Sequence, residues 1–480
     1  MIVGIDIGTQ SLKALVLSPE MTILGEHRVA YRPSFPQAGW AEQDPRLWEE
    51  ALGPAIHGAL AAARCKPDDV KALGLAGQLD GCIAVDARGV PLHPCLIWMD
   101  RRADIDGIDA ESVHATCGVV LDATHLAAKI RWLKRNVPEV SRAAKFHMPV
   151  SYMVARVTGA QVIDHATAST SMVYGLKTRT YDAALLAAFG VSAQELPTPM
   201  DASARAGHLS AAGASLTGLR PGLPVAVGTG DDFSSAIGAG LVAPGRFINV
   251  LGTAEVTGAL HREAVIDPGR LVETHAFMDG HYYIENPGWL SGGALVWFRD
   301  TFGLASFEQL TALAGEAPPG ADGVTFLPAL SGAMAPEWIA SARGAFYGLS
   351  PSHGVRHLAR ALLEGLSFAM RDVLDRVREL GVDAQALRVV GGGARSALWT
   401  QIRADLTGLP AETPRHVDTS AIGAALLAAK AAGLVADIGR TVAELNPVAR
   451  TTLPLARHAE SYENAYRRYR QLFSSLRPLF

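Results

Sequence analysis

The chain of 480 residues is long enough for two or three domains of about 150 to 240 residues each. Its composition, 49% hydrophobic and 19% charged, excludes a mostly disordered protein, because disorder needs low hydrophobicity and high net charge. The 43 lysines and arginines stand against 47 aspartates and glutamates, for a net charge of -4. That balance provides no electrostatic attraction to nucleic acid or to an anionic membrane.

Neither a membrane anchor nor a disulfide framework is indicated. No apolar run reaches the roughly 18 residues of a membrane helix, and the longest candidate, residues 421–436, is interrupted by Lys430. Asp6 and Lys13 occupy the region that would be apolar in a signal peptide. The four cysteines form no C-x-x-C pair, which predicts free thiols: Cys65, Cys82, Cys95 and Cys117. We therefore expect a cytoplasmic protein, and the sequence leaves its oligomeric state open, a homodimer included.

The first predicted elements alternate between strands and helices. Residues 2–9 and 13–17 are apolar β-formers around a glycine turn, which predicts a β-hairpin. Asp44-Pro45 predicts a helix start, because an acidic N-cap precedes proline at the first helical position. Residues 72–76 and 82–85 predict two short strands.

The second half continues the alternation. Asp279-Gly280 between two apolar runs predicts a hairpin. Residues 358–380 carry apolar side chains at helical spacing and predict a long helix that Gly381 ends. The apolar residues 387–390 predict a strand before a glycine-rich turn and a helix that begins at Ser396. Strands and helices that alternate throughout predict the α/β class.

A weak internal echo suggests that two domains share one plan. Residues 5–9 and residues 249–253 each form an apolar strand that ends in Gly-Thr and is followed by more β-forming residues. The stretch 242–245 has the composition of a linker. The sequence therefore predicts an N-terminal domain over residues 1–242 and a C-terminal domain over residues 243–480.

Three glycine-rich turns are candidates for phosphate contacts. They are Asp6-x-Gly8-Thr9-x-x-x-Lys13, Gly252-Thr253, and the run from Gly391 to Ser396. Glycine at a strand end lets backbone amides approach an anion, and a neighbouring hydroxyl can donate to phosphate oxygens. Asp6 would anchor Mg²⁺ through water. One such turn alone is more often only a tight turn, whereas three in this order favour phosphate binding.

Two common nucleotide-binding plans are absent from the sequence. No G-x-x-x-x-G-K-[ST] motif occurs, which excludes a P-loop NTPase. Gly8 lacks the G-x-G-x-x-G pattern of a dinucleotide fold. The glycine-rich stretch 228–240 contains Asp231 and Asp232 where a pyrophosphate would lie, so we expect it to face another ligand.

Asp231 is the candidate for acid–base chemistry. It follows the apolar strand 225–227 in Gly228-Thr229-Gly230-Asp231-Asp232, at the start of a predicted helix. A carboxylate at such a turn can be a helix N-cap, and for Asp232 that interpretation is as strong as a functional one. Beside phosphate sites, an acid can also accept the proton of a substrate hydroxyl during phosphoryl transfer. The neighbouring carboxylate is expected to raise its pKa.

Together these features resemble the FGGY carbohydrate kinase family, and within it the xylulokinases most closely. The resemblance extends over essentially the whole chain, with phosphate, sugar and adenosine motifs in order. Its most specific pieces are Gly4–Thr9, Trp40–Pro45, Ala76–Gln78, Gly230-Asp231, and Gly391–Ser396 with Trp399 and Gln401.

The resemblance implies an α/β fold of two ribonuclease-H-like, actin-like ATPase domains with ATP in the cleft between them. By position it implies that Asp231 is the catalytic base. It assigns ATP to Gly8, Thr9, Lys13, Gly252, Thr253, Gly292, Gly392, Gly393 and Ala394. It assigns the sugar to Gln78, Leu79, Asp80 and Asp232. The cofactors that follow are ATP and Mg²⁺, the latter at Asp6.

The sequence departs from the xylulokinase pattern mainly at the sugar site. Gln78-Leu79-Asp80-Gly81 replaces the usual Gln-Met-His-Gly, and Asp231-Asp232 replaces Asp-Asn. Gly252-Thr253-Ala254 replaces Gly-Thr-Ser, and Gly-Ala-Met-Ala-Pro at residues 332–336 replaces Gly-Glu-Arg-Thr-Pro. Because an ionised carboxylate only accepts hydrogen bonds, we expect Asp80 and Asp232 to meet substrate hydroxyls and to exclude sugar acids.

These inferences predict an ATP-dependent kinase of a neutral ketose, first of all D-xylulose, which would yield xylulose 5-phosphate. A kinase of another ketose or polyol of the ribulose, erythritol or glycerol type is the alternative, as is a sugar-sensing pseudokinase. An actin-like ATPase without a sugar substrate is a further class, although such a protein should lack a base at position 231. The expected partners are a small-molecule sugar and ATP, with neither nucleic acid nor membrane.

Overall fold

The chain forms 24 strands and 15 α-helices, and the computed structural model describes all 480 residues. The strands are β1 (Ile2–Ile7), β2 (Ser11–Leu17), β3 (Ile23–Ala30), β4 (Glu42–Gln43), β5 (Ala72–Gly77), β6 (Ile83–Val85), β7 (Cys95–Leu96), β8 (Lys145–His147), β9 (Val162–Asp164), β10 (Tyr174–Gly175), β11 (Thr180–Tyr181), β12 (Thr198–Met200), β13 (Arg205–His208), β14 (Pro224–Ala226), β15 (Thr229–Gly230), β16 (Arg246–Leu251), β17 (Ala254–His261), β18 (Glu273–Ala276), β19 (Tyr282–Leu290), β20 (Thr325–Leu327), β21 (Ala345–Tyr347), β22 (Ala386–Val390), β23 (Ala411–Pro414) and β24 (Val448–Thr452). The helices are α1 (Arg46–Ala62), α2 (Ala110–Cys117), α3 (Leu126–Asn136), α4 (Pro149–Thr158), α5 (His165–Ser169), α6 (Ala183–Phe189), α7 (Ala211–Thr217), α8 (Asp231–Gly238), α9 (Gly292–Thr301), α10 (Phe307–Gly315), α11 (Val355–Glu379), α12 (Ala397–Thr407), α13 (Ser420–Ala431), α14 (Ile438–Leu445) and α15 (Ala459–Leu476).

The first large sheet has seven strands in the order β13-β14-β5-β1-β2-β3, with β15 also paired to β5. The predicted hairpin is confirmed: β1 and β2 are antiparallel, and Asp6 lies opposite Lys13. Strand β3 continues the antiparallel ribbon, whereas β5 runs parallel to β1 and β14 runs parallel to β5. The sheet therefore consists of an antiparallel ribbon, β1 to β3, beside the parallel strands β5 and β14.

The second large sheet repeats this plan in the order β18-β19-β17-β16-β22-β23-β24. Strand β16 is antiparallel to β17 and parallel to β22, as β1 is to β2 and β5. Gly8-Thr9 directly follows β1, and Gly252-Thr253 directly follows β16, so the two Gly-Thr turns end equivalent strands. The echo in the sequence therefore corresponds to a repeated sheet topology.

Helix α13 ties the two halves of the chain together. It belongs to the last quarter of the sequence but lies on the first sheet, against β1 and β5. A Cβ atom at Gly4 would lie 2.1 Å from the carbonyl oxygen of Ala421, and one at Gly74 would lie 2.0 Å from that of Ala424. Only glycine permits this approach. One hydrophobic cluster accordingly contains side chains from both halves, and the division at residue 242 stays a prediction.

Several predicted elements are confirmed with small changes at their ends. The long helix is α11, followed by Gly381 with φ of +94°. Ser396 caps α12, since its Oγ accepts a hydrogen bond from the amide of Trp399 at 3.2 Å. All four cysteines are free, and three are buried while Cys65 is half-buried. None of the helices combines the length and the apolar composition that crossing a lipid bilayer requires.

Candidate active site

The candidate site lies where three parallel strands of the first sheet end. Asp6 on β1 is level with Ala76 on β5, and Gly230 on β15 is level with Gly77. Asp231 begins α8 directly after β15. In open α/β sheets, ligands bind in the crevice at the carboxyl ends of the strands. The structure therefore brings Asp6, the residues after β5, and Asp231 to one edge.

Glycines around β15 set the position of Asp231. Gly228 has φ of +75°, and a Cβ there would lie 2.1 Å from the carbonyl oxygen of Leu75. A Cβ at Gly230 would lie 2.2 Å from Cδ2 of Leu79. The amide of Gly230 donates to Thr167 Oγ1 at 2.8 Å. The glycines thus let the acidic turn approach the predicted sugar-binding loop closely.

Asp231 has the properties of a proton acceptor at neutral pH. Burial raises its pKa to about 7, and the negative charge of Asp6 adds to the rise. No lysine, arginine or histidine nitrogen lies within 4 Å of its carboxylate, and its Oδ1 accepts only from the amide of Asp232 at 3.2 Å. The rise agrees with the direction expected from the sequence, although burial is its leading cause. A carboxyl group with a pKa in this range can take up a proton reversibly.

The structure changes the expectation for Asp232. Burial, followed by the charges of Asp231 and Glu285, raises the pKa of Asp232 well above its ordinary value. A protonated carboxyl group has an O–H that donates a hydrogen bond, as the amide of asparagine does. The raised pKa works against the ionised form on which that expectation depends, and the contact of Asp232 with a substrate hydroxyl stays a prediction.

Asp80 behaves in the opposite way. Burial is the largest single influence and would raise its pKa, but the charges of His125 and Lys129 and the hydrogen bond from Thr170 together hold the pKa below its ordinary value. Asp80 Oδ1 accepts from Thr170 Oγ1 at 2.7 Å and lies 3.3 Å from His125 Nδ1. The backbone of Asp80 has φ of +52°, so the side chain leaves a sharp turn after β5. The lowered pKa keeps Asp80 ionised, and its contact with a substrate hydroxyl stays a prediction.

One carboxylate oxygen of Asp6 has no hydrogen-bond partner in the protein. Its Oδ1 is buried and makes no hydrogen bond of normal geometry, although the hydroxyl of Ser420 is close enough to lower its pKa. Burial, and next the charge of Asp418, raise the pKa of Asp6 to about 6. Mg²⁺ takes hard oxygen ligands and keeps most of its waters, so a single free carboxylate oxygen fits it.

Lys13 forms ion pairs with two carboxylates of the protein. Its Nζ lies 2.8 Å from Asp418 Oδ2 and 2.9 Å from Glu26 Oε2, and its side chain is buried. The ammonium group is thus held at the same edge of the sheet as Asp6, on the neighbouring strand. Its contact with phosphate stays a prediction.

A polar network supports the first phosphate turn. Gln43 Nε2 donates to the carbonyl oxygen of Thr9 at 2.9 Å, and Gln78 Nε2 donates to Gln43 Oε1 at 2.8 Å. Thr9 Oγ1 donates to Gln78 Oε1 at 3.3 Å and accepts from Trp98 Nε1 at 3.0 Å. Gln78 is 1% exposed, so its side chain holds the turn, and its contact with sugar stays a prediction.

Trp98 is a site residue that the sequence analysis missed. Its ring is 38% exposed although its indole nitrogen is tied to Thr9. A large exposed aromatic ring fixed beside a phosphate turn offers an apolar face to a ligand. Nothing in the spacing of the sequence distinguished this tryptophan from core residues, whereas Gln43 lay within a segment that the family resemblance included.

The second phosphate turn meets the start of α9. The amide of Gly292 donates to the carbonyl oxygen of Gly252 at 3.1 Å, and the amides of Ser291 and Gly293 donate to that of Thr253 at 3.1 Å. A Cβ at Gly292 would lie 2.4 Å from the oxygen of Gly252. The structure thus joins two segments, about 40 residues apart, that the sequence assigned to one nucleotide.

The third turn touches the second. Gly391 has φ of +83°, and a Cβ there would lie 2.5 Å from the carbonyl oxygen of Leu251, the residue before Gly252. A Cβ added at Gly393 would likewise come too close to the side chains of Leu251 and Trp399. Gly392 faces open space, and Ala394 is buried. The three segments predicted to bind ATP in the second half therefore lie together.

A buried ion pair under these turns was also missed. Arg403 on α12 binds both carboxylate oxygens of Glu255 on β17, at 2.7 and 2.9 Å, and both side chains are fully buried. Glu255 also accepts from Ser291 Oγ at 2.7 Å and from Asn249 Nδ2 at 2.8 Å. One carboxylate therefore links the second phosphate turn, the start of α9 and α12. The residues are too far apart in sequence for spacing to reveal it.

Comparison with known proteins identifies the family. A model of the FGGY family of carbohydrate kinases, N-terminal domain, matches residues 1–238, and a model of the C-terminal domain matches residues 247–432. The chain belongs to the FGGY family of carbohydrate kinases. Kinases of this family use ATP as phosphate donor, and their substrates are small-molecule sugars.

Relatives of this kinase carry different names, among them xylulose kinase and glycerol kinase. It is 30% identical to the xylulose kinase of Escherichia coli over all of both chains. It is 34% identical to the glycerol kinase of Allorhizobium ampelinum over 90% of each chain. The crystal structure described as a xyloylose kinase from Brucella ovis matches with a TM-score of 0.93 and 31% identity over all of both chains. The predicted α/β fold with two ribonuclease-H-like, actin-like ATPase domains is thereby confirmed.

Proposed function

We propose that this kinase transfers the γ-phosphate of ATP to a hydroxyl of a neutral ketose, with D-xylulose as the first candidate and xylulose 5-phosphate as its product. The proposal rests on the surroundings and the raised pKa of Asp231. It is an acid without a cationic neighbour, with a pKa of about 7, between Asp6 and the loop of Asp80. Full-length similarity to xylulose kinases supports the candidate substrate.

In the proposed reaction, Asp231 removes the proton of the substrate hydroxyl as its oxygen attacks the γ-phosphorus. The bond between that phosphorus and the bridging oxygen breaks, and ADP leaves with the electron pair. A base with a pKa near the working pH is suited to this step, because it is available as the anion and still holds the proton it receives.

The two halves of the chain would hold ATP between them. Backbone amides of glycine-rich turns bind phosphate oxygens without the steric cost of a side chain. The residues proposed for ATP are Gly8, Thr9 and Lys13 in the first half, and Gly252, Thr253, Gly292, Gly392, Gly393 and Ala394 in the second. The contacts of Gly292 with Gly252, and of Gly391 with Leu251, support this grouping.

Asp6 would hold Mg²⁺ through its free Oδ1. The ion, when bound, neutralises the negative charge that develops on the transferred phosphoryl group. Asp6 and Asp231 lie close enough for the charge of one to raise the pKa of the other, so the metal anchor and the base belong to one site.

A polyol of the glycerol type is the second candidate substrate. The relatives named glycerol kinase are at least as similar as those named xylulose kinase, which supports this class. Asp80 adds a specific observation, because an ionised carboxylate suits a donor hydroxyl, and every carbon of a polyol carries one.

The test is ADP release with a panel of D-xylulose, D-ribulose, erythritol, glycerol and gluconate. We expect sugar-dependent ADP release with at least one neutral compound and none with gluconate. ADP release that does not depend on a sugar would contradict the proposal in favour of an ATPase. Sugar binding without turnover would contradict it in favour of a sugar sensor.

A further inference from the structure

A series of alternating carboxylates and imidazoles begins at the sugar loop. Asp80 Oδ1 lies 3.3 Å from His125 Nδ1, and His125 Nε2 lies 3.7 Å from Glu273 Oε1. His275 Nε2 lies 3.7 Å from Glu273 Oε2 and 3.2 Å from Glu285 Oε1. We call these five residues the histidine–carboxylate chain.

The histidine–carboxylate chain crosses from one half of the molecule to the other. Asp80 and His125 belong to the N-terminal half, whereas Glu273 lies on β18 of the second sheet. Two hydrogen bonds fasten the crossing: the amide of Val120 donates to Glu273 Oε1 at 2.7 Å, and that of Thr274 donates to the carbonyl oxygen of Gly118 at 2.9 Å. His125 is therefore held between a carboxylate of each half.

Asp80 is held on one oxygen and free on the other. Thr170 Oγ1 and His125 Nδ1 both approach Oδ1, while Oδ2 makes no hydrogen bond within the protein. The Asp80 side chain keeps 17% of its surface exposed, whereas those of Glu273 and His275 keep 2%. The free oxygen is thus the end of the histidine–carboxylate chain that a ligand can reach.

We propose that His125 is a positioning residue that sets substrate specificity by holding Asp80 so that Oδ2 accepts a hydrogen bond from one substrate hydroxyl. The inference rests on the proposed function and deepens it, because it defines the substrate as a neutral molecule with a donor hydroxyl at that place. His125 balances the charge of Asp80, and Glu273 balances the charge of His125. A buried carboxylate needs such pairing to stay ionised.

The position that is histidine in the xylulokinase pattern is Asp80 here, and His125 brings an imidazole nitrogen to 3.3 Å from its carboxylate from another element. The imidazole stands behind the carboxylate, so the group offered to the substrate is an acceptor. A site built to pair a hydroxyl rejects an analogue that lacks it, because the buried polar group is left unpaired. Deoxy analogues that lack this hydroxyl are therefore rejected.

The test is a double-mutant cycle with His125→Gln, Asp80→Asn and the double variant, assayed with D-xylulose and with glycerol. We expect His125→Gln to raise the KM for sugar about 10-fold, since the ion pair that holds Asp80 is lost, with kcat and the KM for ATP within about 2-fold. In the Asp80→Asn background, the same change should shift the sugar KM by no more than about 2-fold, because His125 acts through Asp80.

A matched control separates positioning from packing. His114 is also buried and also contacts the second half, through the carbonyl oxygen of Asp267 at 2.8 Å, but lies outside the histidine–carboxylate chain. His114→Gln should leave the sugar KM unchanged. Thr170→Val provides a second variant, because it removes the other contact to Asp80 Oδ1, and it should raise the sugar KM in the same way.

The outcomes distinguish this inference from the proposed function. Sugar-dependent turnover with fully additive effects of His125→Gln and Asp80→Asn would overturn the inference and leave the kinase intact. An equal rise in the sugar KM of His114→Gln would overturn it as well. Absence of sugar-dependent turnover in the wild type would overturn the proposed function and the inference with it. Calorimetric titration of each variant with sugar checks the KM changes as binding.

Discussion

At the scale of single residues, four carboxyl groups lie within electrostatic reach of one another, and only one has a cation beside it. Asp6, Asp231 and Asp232 have no basic nitrogen within 4 Å, whereas Glu285 has His275 at 3.2 Å. Burial is the leading cause of a raised pKa in each of the four, and repulsion from nearby carboxylates adds to it. Such a concentration of uncompensated acids is costly, and it is typical of a site that handles protons or cations.

The pKa of Asp231 predicts the acid limb of the pH profile. The base accepts a proton only when ionised, so kcat/KM should rise tenfold per pH unit below about pH 7 and level off above it. Initial rates between pH 5 and 9, with saturating ATP and magnesium, measure this limb. Asp232→Asn should keep this limb, because the Asp232 group that contacts Asp231 is its backbone amide. A profile that is flat from pH 5 to 8 would contradict the role of Asp231.

The free oxygen of Asp6 predicts dependence on magnesium. Turnover should vanish in EDTA and return when Mg²⁺ is added in excess, because the phosphoryl charge is otherwise not neutralised. Asp6→Ala should abolish turnover and leave the melting temperature nearly unchanged, since Oδ1 makes no internal hydrogen bond. Full activity of the EDTA-treated enzyme would count against the metal site.

At the scale of elements, the helices and strands of the site follow from local sequence, while their meeting points do not. The hairpin of β1 and β2, the helix start at Ser396 and the stop at Gly381 are each set by residues within a few positions. Glu255 and Arg403 form the contact that joins three elements, but 148 residues separate them. No local pattern marks such a pair, because its partners meet only after both sheets have formed.

This buried pair predicts a large effect of removing one partner. Glu255→Gln leaves the Arg403 guanidinium without its counter-charge, and breaking a fully buried pair costs about 3–5 kcal/mol. We expect a lower melting temperature in scanning calorimetry and a raised KM for ATP, since the start of α9 loses its anchor. Glu444→Gln is the control, because its partner Arg440 is 81% exposed and exposed pairs contribute little. Equal melting temperatures for the two variants would contradict the assignment.

At the scale of the whole molecule, two sheets of one topology are joined through α13 and through the histidine–carboxylate chain. The repeated Gly-Thr turn predicted the repeated topology, because both turns end equivalent strands. The sequence did not predict that α13 lies on the first sheet, since its all-round apolar composition fits any buried helix. Nor did it predict the full rise in the pKa of Asp232, because Glu285 and Asp6 contribute to it and only the fold brings them near.

The position of the site between the halves predicts a closing motion. The proposed sugar residues lie in the first half, and most of the proposed ATP residues lie in the second. Approach of the halves would exclude water that otherwise hydrolyses ATP. Saturating D-xylulose or glycerol, whichever is a substrate, should reduce the radius of gyration in solution scattering, whereas gluconate should not. An unchanged profile with a confirmed substrate would show that the cleft is closed beforehand.

The central claim is that Asp231 is the base of a sugar kinase, and phosphorus NMR of the reaction with Asp231→Asn tests it most directly. Wild type with ATP, Mg²⁺ and the panel of neutral sugars should produce a sugar phosphate in step with ADP. Asp231→Asn should bind ATP normally and form the same product with kcat lower by about 10²–10⁴, the usual loss for a general base. A variant that phosphorylates sugar at nearly the wild-type rate, or a wild type that releases only inorganic phosphate, would contradict the account.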